Sequence, residues 1–569
     1  MHYAAWDLEG LDPWVSRVLQ EGYQIPFLCS PPLTQSPIAY QSYPPGSPRH
    51  QALVEAVESM KDKNAVEQVH SQSMGFYSRM FVVPKVTGGW RPIIDLSPLN
   101  KMVQVTKFKM ETAQQVLSSI NPGDWMVSID LKDAYFQVPI HPKSRKYLRF
   151  QWEGIPYQFK VLCFGLSTAP QVFTRVMGSV ATLCHRQGIR LHRYLDDWLI
   201  VAESRQEIVA ARDWVLRLTD NLGLLVNWDK SDLSPTKRLV YLGMDIDTDL
   251  ALAFPSEKRI ERFLQLVHLF RESETLPAWD WLRLIGHMVS LEKLVPWGRC
   301  HLRSIQFQLR QHWDQARDHK YRPVPVSADV LLDLIWWVDP QHLLAGVPLQ
   351  QPEADLQLFT DASTQGWGAH MLDLQASGLW NPSESALHIN LLELKAVRLG
   401  LESFQQFCQN KTVLVMSDNS TVVAYIKNQG GTRSWDLCQE ALDLLQWSRE
   451  QHISLQCRYI PGQRNVLADQ LSRRNQILPA EWSLHPDVCR AIWRVWGSPH
   501  IDLFATARNR KLALYCSPVP DPEAWATDAM TTPWDNLWSY AFPPLALIAQ
   551  VLTKLGQSSQ AQMVLVAPR

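Results

Sequence analysis

The stretch Tyr194-Leu195-Asp196-Asp197-Trp198-Leu199-Ile200 sets two adjacent carboxylates in an otherwise apolar run, and Trp125-Met126-Val127-Ser128-Ile129-Asp130 ends on a third acid upstream. Successive residues of a strand face opposite sides, so neighbouring aspartates converge only at a tight turn. The flanks His192 to Tyr194 and Trp198 to Val201 read as two short strands of a hairpin whose tip presents both acids. Two unit charges about 4 Å apart at an effective dielectric near 20 repel by roughly 4 kcal/mol, a cost that a bound divalent cation reverses. The pattern implies magnesium, with manganese as the substitute; a solvated Asp-Asp surface turn is the plain alternative for these residues taken alone.

With 569 residues, 46% of them hydrophobic, the chain has material for several domain cores, which excludes a disordered or fibrous protein. Met1 to Gly10 has neither a basic start nor an apolar run, and no stretch of about 20 apolar residues occurs, so a soluble intracellular protein without a membrane partner is expected. Cytoplasm and nucleus are not distinguished. Nine cysteines stand singly from Cys29 to Cys516, with no Cys-x-x-Cys pair and no zinc-knuckle spacing, as expected of reduced structural thiols. A net charge of -1 excludes a uniformly basic nucleic-acid coat. Locally the balance differs: twelve Lys/Arg against six Asp/Glu lie between Phe76 and Lys160, including Lys143, Arg145, Lys146 and Arg149, and that region can face phosphates.

Residues 1–65 hold the Pro/Ser-rich stretch Ser30 to Pro48 and read as an arm or linker. From 66 to 250 short β-rich runs alternate with helical patterns. Ile260, Phe263, Leu264, Val267 and Phe270 follow the possible cap Ser256 at helical spacing, which predicts an amphipathic helix over 256–272 and a mainly helical region over 251–350. Gln350-Gln351-Pro352-Glu353 precedes a new β-rich beginning and marks a domain boundary.

Asp130-Leu131-Lys132-Asp133-Ala134-Tyr135 and Tyr194-Leu195-Asp196-Asp197 resemble the first and third palm motifs of reverse transcriptases. Val83-Pro84-Lys85 with Gly88-Gly89-Trp90-Arg91-Pro92-Ile93-Ile94-Asp95 resembles their fingers, Phe164-Gly165-Leu166-Ser167-Thr168-Ala169-Pro170 the loop beneath the nascent base pair, and Tyr241-Leu242-Gly243 the primer grip. The resemblance implies that Asp130, Asp196 and Asp197 hold two magnesium ions for in-line phosphoryl transfer. It implies further that Lys85, Arg91, Tyr135 and Phe164 meet the incoming deoxynucleotide, Tyr135 lying under the sugar where it rejects a 2′-hydroxyl. Asp133 is left as a hydrogen-bonding neighbour rather than a ligand. RNA template, DNA primer and deoxynucleoside triphosphates are the implied partners.

Beyond the boundary, Leu358-Phe359-Thr360-Asp361-Ala362-Ser363, Gly366-Trp367-Gly368, Asn390-Leu391-Leu392-Glu393-Leu394, Val415-Met416-Ser417-Asp418-Asn419 and Asn465-Val466-Leu467-Ala468-Asp469-Gln470-Leu471-Ser472-Arg473 resemble ribonuclease H. Asp361 and Asp418 end apolar β-like runs, Glu393 lies in a helical pattern and Asp469 in another, so the four can meet at one sheet edge. The resemblance makes them a second two-metal site, cleaving the RNA strand of an RNA/DNA hybrid. The loop Tyr459-Ile460-Pro461-Gly462-Gln463-Arg464-Asn465 departs from retroviral enzymes in lacking a histidine, as in retrotransposon enzymes.

The segments Glu481-Trp482-Ser483-Leu484, Asp502-Leu503-Phe504-Ala505-Thr506 and Tyr540-Ala541-Phe542-Pro543-Pro544-Leu545 resemble those of DIRS-type retrotransposons, whose tyrosine-recombinase branch carries an adenine-methyltransferase-like region here. Phe542 and Leu545 occupy places where active methyltransferases keep a hydrogen-bond acceptor and an aromatic ring, so the segment is expected to be structural or degenerate. The ending Val566-Ala567-Pro568-Arg569 is expected of a truncated copy. The fold expected is multidomain α/β (α+β): a right-hand polymerase with fingers and palm over 66–250 and thumb or connection over 251–350, a ribonuclease H-like mixed sheet over 354–475, and a small α/β segment over 476–569. A catalytically inactive or co-opted nucleic-acid-binding remnant is the alternative function.

Overall fold

A computed structural model describes residues 6, 12–35, 43–70, 73–84, 89–473, 483–507, 509–519 and 521–567. Lys85, Glu481, Trp482 and part of the Pro/Ser-rich stretch lie outside them. The chain divides into two compact units, Met1–Glu353 with Asn428–Leu442, and Ala354–Lys427 with Asp443–Arg569.

In the first unit β1 (Arg79–Pro84) and β2 (Trp90–Asp95) form an antiparallel pair with Val83 opposite Arg91. The central sheet comprises β3 (Trp125–Asp130), β4 (Arg190–Tyr194), β5 (Asp197–Ala202) and β6 (Asp232–Thr236), antiparallel in the spatial order β4-β5-β3-β6. The unbroken apolar run of β5 has a physical reason. Trp198, Ile200 and Ala202 enter one core with Val127, Ile129, Phe173 and Ile208, whereas Leu199 and Val201 enter another with Met126, Leu239 and Ile246. A strand covered on both faces has no polar side to alternate with.

Helices α1 (Ala169–Arg186) and α2 (Arg205–Leu222) contribute to the first of these cores. A capping box starts α2: the Glu207 N–H donates to Ser204 Oγ at 3.2 Å and the Ser204 N–H to Glu207 Oε2 at 3.2 Å. Next come β7 (Arg238–Tyr241), β8 (Met244–Asp247) and β9 (Leu252–Pro255), joined in a small antiparallel sheet by the distant β10 (Val347–Pro348).

The apolar periodicity after Ser256 becomes α3 (Glu257–Arg271), followed by α4 (Ala278–Leu291), α5 (Arg303–His312) and α6 (Ala328–Val338). Their shared core holds Phe263, Phe270, Trp281, Ile305 and Trp337. At the start of α5 the buried Arg303 donates to the carbonyl oxygens of Gln429 at 3.0 Å and Gly430 at 3.3 Å, and to that of Asn428. Arg299 reaches Asn428 Oδ1 at 2.8 Å, and Phe307 meets Trp435 edge-on at 4.8 Å. These contacts attach 428–442 to the first unit although that stretch lies inside the later sequence.

The second unit holds two five-stranded sheets. The first consists of β11 (Leu356–Ala362), β12 (Gly366–Met371), β13 (Leu374–Leu379), β14 (Thr412–Ser417) and β15 (Ser454–Tyr459) in the order β13-β12-β11-β14-β15. Its first three strands are antiparallel neighbours, while β14 pairs in parallel with β11 and β15. Helices α7 (Ile389–Ser403), α8 (Ser420–Lys427), α9 (Trp435–Glu450, which begins in the first unit and ends in the second) and α10 (Val466–Ser472) accompany it.

Then come α11 (Pro486–Trp496) and the second sheet: β16 (Ile501–Asp502), β17 (Leu514–Ser517), β18 (Ala526–Thr527), β19 (Trp538–Ala541) and, after α12 (Ile548–Gln557), β20 (Gln562–Leu565). This sheet is parallel throughout, ordered β18-β17-β16-β19-β20.

Gly368 explains how α10 lies so close on β12. A Cβ there would meet Leu471 Cβ at 2.4 Å, the Ala468 carbonyl oxygen at 2.5 Å and the Ser472 nitrogen at 2.6 Å. Two of those obstacles are backbone atoms and cannot rotate away. Gly368→Ala is therefore expected to lower the stability of the second unit by about 1–3 kcal/mol, the usual range for overpacking, read as a lower urea midpoint. An unchanged midpoint would mean that α10 yields freely.

Candidate active sites

The acids of the first unit are positioned by the β3/β5 ladder and the hairpin between β4 and β5. Asp130 is the register partner of Asp197, and Tyr194 pairs with Asp197 across a two-residue turn of Leu195 and Asp196. Directly opposed residues of an antiparallel pair share a face, with Cβ atoms about 5 Å apart. Leu195 takes a left-handed backbone, φ +56°, which a branched side chain adopts only at a cost of about 1–2 kcal/mol. Surrounding bonds hold it there. The Leu131 N–H donates to the Asp196 carbonyl at 2.9 Å, Trp198 Nε1–H to the Leu195 carbonyl at 3.3 Å, and the buried Tyr241 hydroxyl to the Asp197 carbonyl at 3.0 Å. On the neighbouring strand the Asp130 N–H donates to Ser231 Oγ at 3.0 Å.

Electrostatics follow from this crowding. Burial, followed by the charges of Asp196 and Asp130, pushes Asp197 up to about 6, with Lys230 opposing. Burial raises Asp196 as well, helped by Asp130. Asp130 and Asp197 line a cavity of about 810 Å³ together with Lys230, Tyr241, Arg259 and Lys293. Asp196 is outside that lining, as are Tyr135, Phe164 and Arg91. Tyr135 is buried, its ring 4.7 Å from Phe164 and 5.6 Å from Phe173. Its hydroxyl is pushed up to about 12 by burial and then by the charge of Asp196. Phe164 is largely exposed, and Arg91 is exposed on β2. Lys85 belongs to the residues not described, and Asp133 is bound by Lys63 at 2.8 Å.

Lys230 and Glu111 are additions that the motifs did not suggest. Lys230 is a lysine some thirty residues past the hairpin with no local pattern to mark it. Glu111 accepts the Arg193 N–H at 2.9 Å and stands 3.3 Å from His192 Nδ1, so it fixes the strand leading to the turn.

In the second unit Asp361 on β11, Glu393 on α7 and Asp418 just after β14 each bring a carboxylate oxygen to within 4.8 Å of the others. The parallel β11/β14 pairing carries both aspartates to one sheet edge, and α7 delivers Glu393 from the side. Glu393 is pushed up to about 9 by burial first and by Asp361 and Asp418 next. Its Oε2 is buried without a hydrogen-bond partner among the described residues. Asp361 rises to about 6 through burial, which the 2.5 Å hydrogen bond from Ser472 Oγ partly offsets. Asp469 stands outside the trio. It lies within α10 and binds Arg473 at 2.7 Å, and its charge still reaches Asp361.

Three convergent carboxylates with an orphaned buried oxygen are a donor set for a hard divalent cation. In the first unit Asp130 and Asp197 are opposed in the strand ladder and Asp196 adjoins them in the turn, but among the described residues their carboxylate oxygens do not converge as those of the trio do.

Glu393 also fixes a pH dependence. A carboxyl whose folded pKa stands above its unfolded value stabilises the fold below the unfolded pKa, and that contribution is lost as pH rises through the folded one. The window here runs from the ordinary glutamate value, 4.5, to about 9. In EDTA, wild type and Glu393→Gln are therefore expected to melt together near pH 4 and to separate progressively between pH 4.5 and about 9, with the wild type lower at the alkaline end. Curves that stay superimposed at alkaline pH would show that Glu393 ionises without cost.

Residues 83–246 match the family described as "Reverse transcriptase (RNA-dependent DNA polymerase)". The genome polyprotein of Petunia vein clearing virus (isolate Shepherd) is 24% identical over 465 residues, covering 76% of this chain and 19% of its own length. The putative enzymatic polyprotein of Cassava vein mosaic virus is 24% identical over 443 residues, covering 74% of this chain and 64% of its own. The transposon Tf2-3 polyprotein of Schizosaccharomyces pombe (strain 972 / ATCC 24843) is 22% identical over 452 residues, covering 77% and 31%. The chain thus spans about a fifth of the first of these relatives. Among solved structures, a foamy viral protease-reverse transcriptase in complex with RNA/DNA hybrid superposes with a TM-score of 0.49 at 15% identity, covering 84% of this chain and 64% of that one. No helix among the described residues is long and apolar enough to cross a membrane. Residues 83–246 are thus similar to the reverse transcriptase family, in a chain whose similar relatives are polyproteins of viruses and of a transposon.

Proposed function

We propose that the chain is an RNA-directed DNA polymerase with ribonuclease H activity from a retroelement, acting on an RNA template, a DNA primer and deoxynucleotides. The observation that carries the reading is the pairing of Asp130 with Asp197 beside a half-buried Asp196, inside the segment that matches the reverse transcriptase family. In this reading Asp130, Asp196 and Asp197 hold magnesium in the first unit, and Asp361, Glu393 and Asp418 hold it in the second, with Asp469 joining once it leaves Arg473. When bound, such cations lower the pKa of the attacking hydroxyl or water and neutralise the phosphate oxygens.

The chain's own residues do the rest. The hydrogen bonds to the Asp196 and Asp197 carbonyls keep the turn from opening under the mutual repulsion of its acids. Tyr135, wedged between Phe164 and Phe173, has no room to retreat from a 2′-hydroxyl. Arg91 offers a planar fork for phosphate oxygens, with Lys85 as its partner in that task. Within the retroelements we place the chain with the DIRS type, on the strength of the segments around Asp502 and Phe542.

Asp196→Asn is expected to abolish extension of a DNA primer on an RNA template while hybrid cleavage persists, and Glu393→Gln to do the opposite. Loss of both activities in either variant, with the melting curve unchanged, would contradict two independent sites. Tyr135→Ala is expected to raise ribonucleotide over deoxynucleotide use by at least about tenfold in the same extension assay. If the ratio stays put, the ring does not sense the sugar.

A further inference from the structure

Tyr241-Leu242-Gly243-Met244 joins β7 to β8 by a turn of two residues, since Tyr241 and Met244 are register partners. Both residues of the turn are left-handed, Leu242 at φ +49° and Gly243 at φ +74°. Such a turn matches the twist of its flanking strands, and glycine takes it freely. Leucine does not: a branched side chain persists in this conformation only where its surroundings hold it.

The start of α3 is what holds it. The Ser256 N–H donates to the Gly243 carbonyl at 3.1 Å, and Arg259 Nη2 donates to the Leu242 carbonyl at 2.7 Å. Arg259 Nη1 reaches the Ser290 carbonyl near the end of α4 at 3.3 Å. One guanidinium therefore ties the turn to two helices. It lies so close to the Gly243 α carbon that a Cβ there would stand 2.2 Å from Nε and 2.5 Å from Cζ. Gly243 serves twice, through its backbone angle and through the room it leaves for Arg259.

From the turn the restraint passes to the polymerase acids. Tyr241, the last residue of β7, is buried, and its hydroxyl donates to the Asp197 carbonyl at 3.0 Å. Leu242, Gly243 and Arg259 line the same cavity as Asp130 and Asp197. Two side-chain hydrogen bonds, one from Arg259 and one from Tyr241, thus connect α3 to the hairpin that carries the acids. Both acceptors of Arg259 are neutral carbonyls, and burial disfavours the charged form of its guanidinium. This place uses the fork of the side chain rather than its charge. A lysine carries all its donors on one nitrogen and does not span both carbonyls.

We propose that Arg259 is a positioning residue for DNA synthesis: by clamping Leu242 and Gly243 to α3 and α4 it fixes, through Tyr241, where Asp197 stands relative to the primer terminus. The inference rests on the polymerase reading above and adds to it a residue outside the acids and the nucleotide contacts. Arg259 touches no reacting atom, so its loss should show in turnover and leave nucleotide binding alone.

The test compares wild type with Arg259→Lys, Arg259→Met and Gly243→Ala in single-nucleotide extension of a DNA primer on an RNA template. Arg259→Lys and Arg259→Met should each lower kcat by about tenfold to a hundredfold, the cost of reacting groups misplaced by about 1 Å, with KM for the deoxynucleotide and cleavage of RNA/DNA hybrid unchanged. Amides of residues 238–247 should exchange hydrogen faster in both variants while the rest of the first unit exchanges as before, which separates a loosened turn from a misfolded domain. Gly243→Ala should expel the guanidinium and lower kcat likewise, and adding Arg259→Met to it should lower kcat no further, because the two changes break one contact. Wild-type kcat in Arg259→Lys, a change confined to KM, a double variant whose loss is the product of the two single losses, or unchanged exchange over 238–247 would each overturn the proposal. A wild type that extends no primer would sink the polymerase reading instead, and the exchange comparison would still decide whether Arg259 holds the turn.

Discussion

Mutual repulsion of carboxylates gathered out of water is the constraint on which the first unit's centre and the second unit's trio both depend. A half-buried cluster of like charges is a place where a chain left to itself would swell or unfold. The answer here is to fix the backbone rather than the side chains. Asp130 and Asp197 are locked in register by a strand ladder, and the turn between β4 and β5 is gripped from three directions by Leu131, Trp198 and Tyr241. In the second unit the parallel β11/β14 pairing does the same for Asp361 and Asp418. The carboxylate oxygens stay available because the main chain carries the restraint.

That division of labour explains what could be read from the amino-acid order. Acids at the ends of apolar runs are visible in sequence because strand ends and hairpin tips have local signatures, so Asp130, Asp196, Asp197, Asp361 and Asp418 could be named with their elements. The helix over 256–272 was equally visible, since its apolar spacing lies within one segment, although Ser256 at its start makes no side-chain cap bond. The supports were not visible. Lys230, Glu111, Ser472 and Arg303 act through partners far away in the chain, and no periodicity marks such pairs. The parallel sheet at the end of the chain was hard to foresee because β16 and β18 are only two residues long.

The two sheets of the second unit share one spatial order but differ in strand direction, and their chemistry differs accordingly. In the mixed sheet the neighbours β11, β14 and β15 point the same way while β12 runs against them, and acids gather at the ends of β11 and β14. In the parallel sheet all five ends point the same way, so the space beyond them becomes a walled hollow instead of a small knot of charge.

Arg303 has a consequence for anyone cutting the chain into pieces. Its guanidinium is the donor for three successive carbonyls in the 428–430 turn. A fragment begun at Ala354 to isolate the later portion would carry that turn without its counterpart, leaving the acceptors to solvent and Trp435 without Phe307. Dissection of this protein at its apparent sequence border thus removes the clasp of a loop that is read more than a hundred residues downstream.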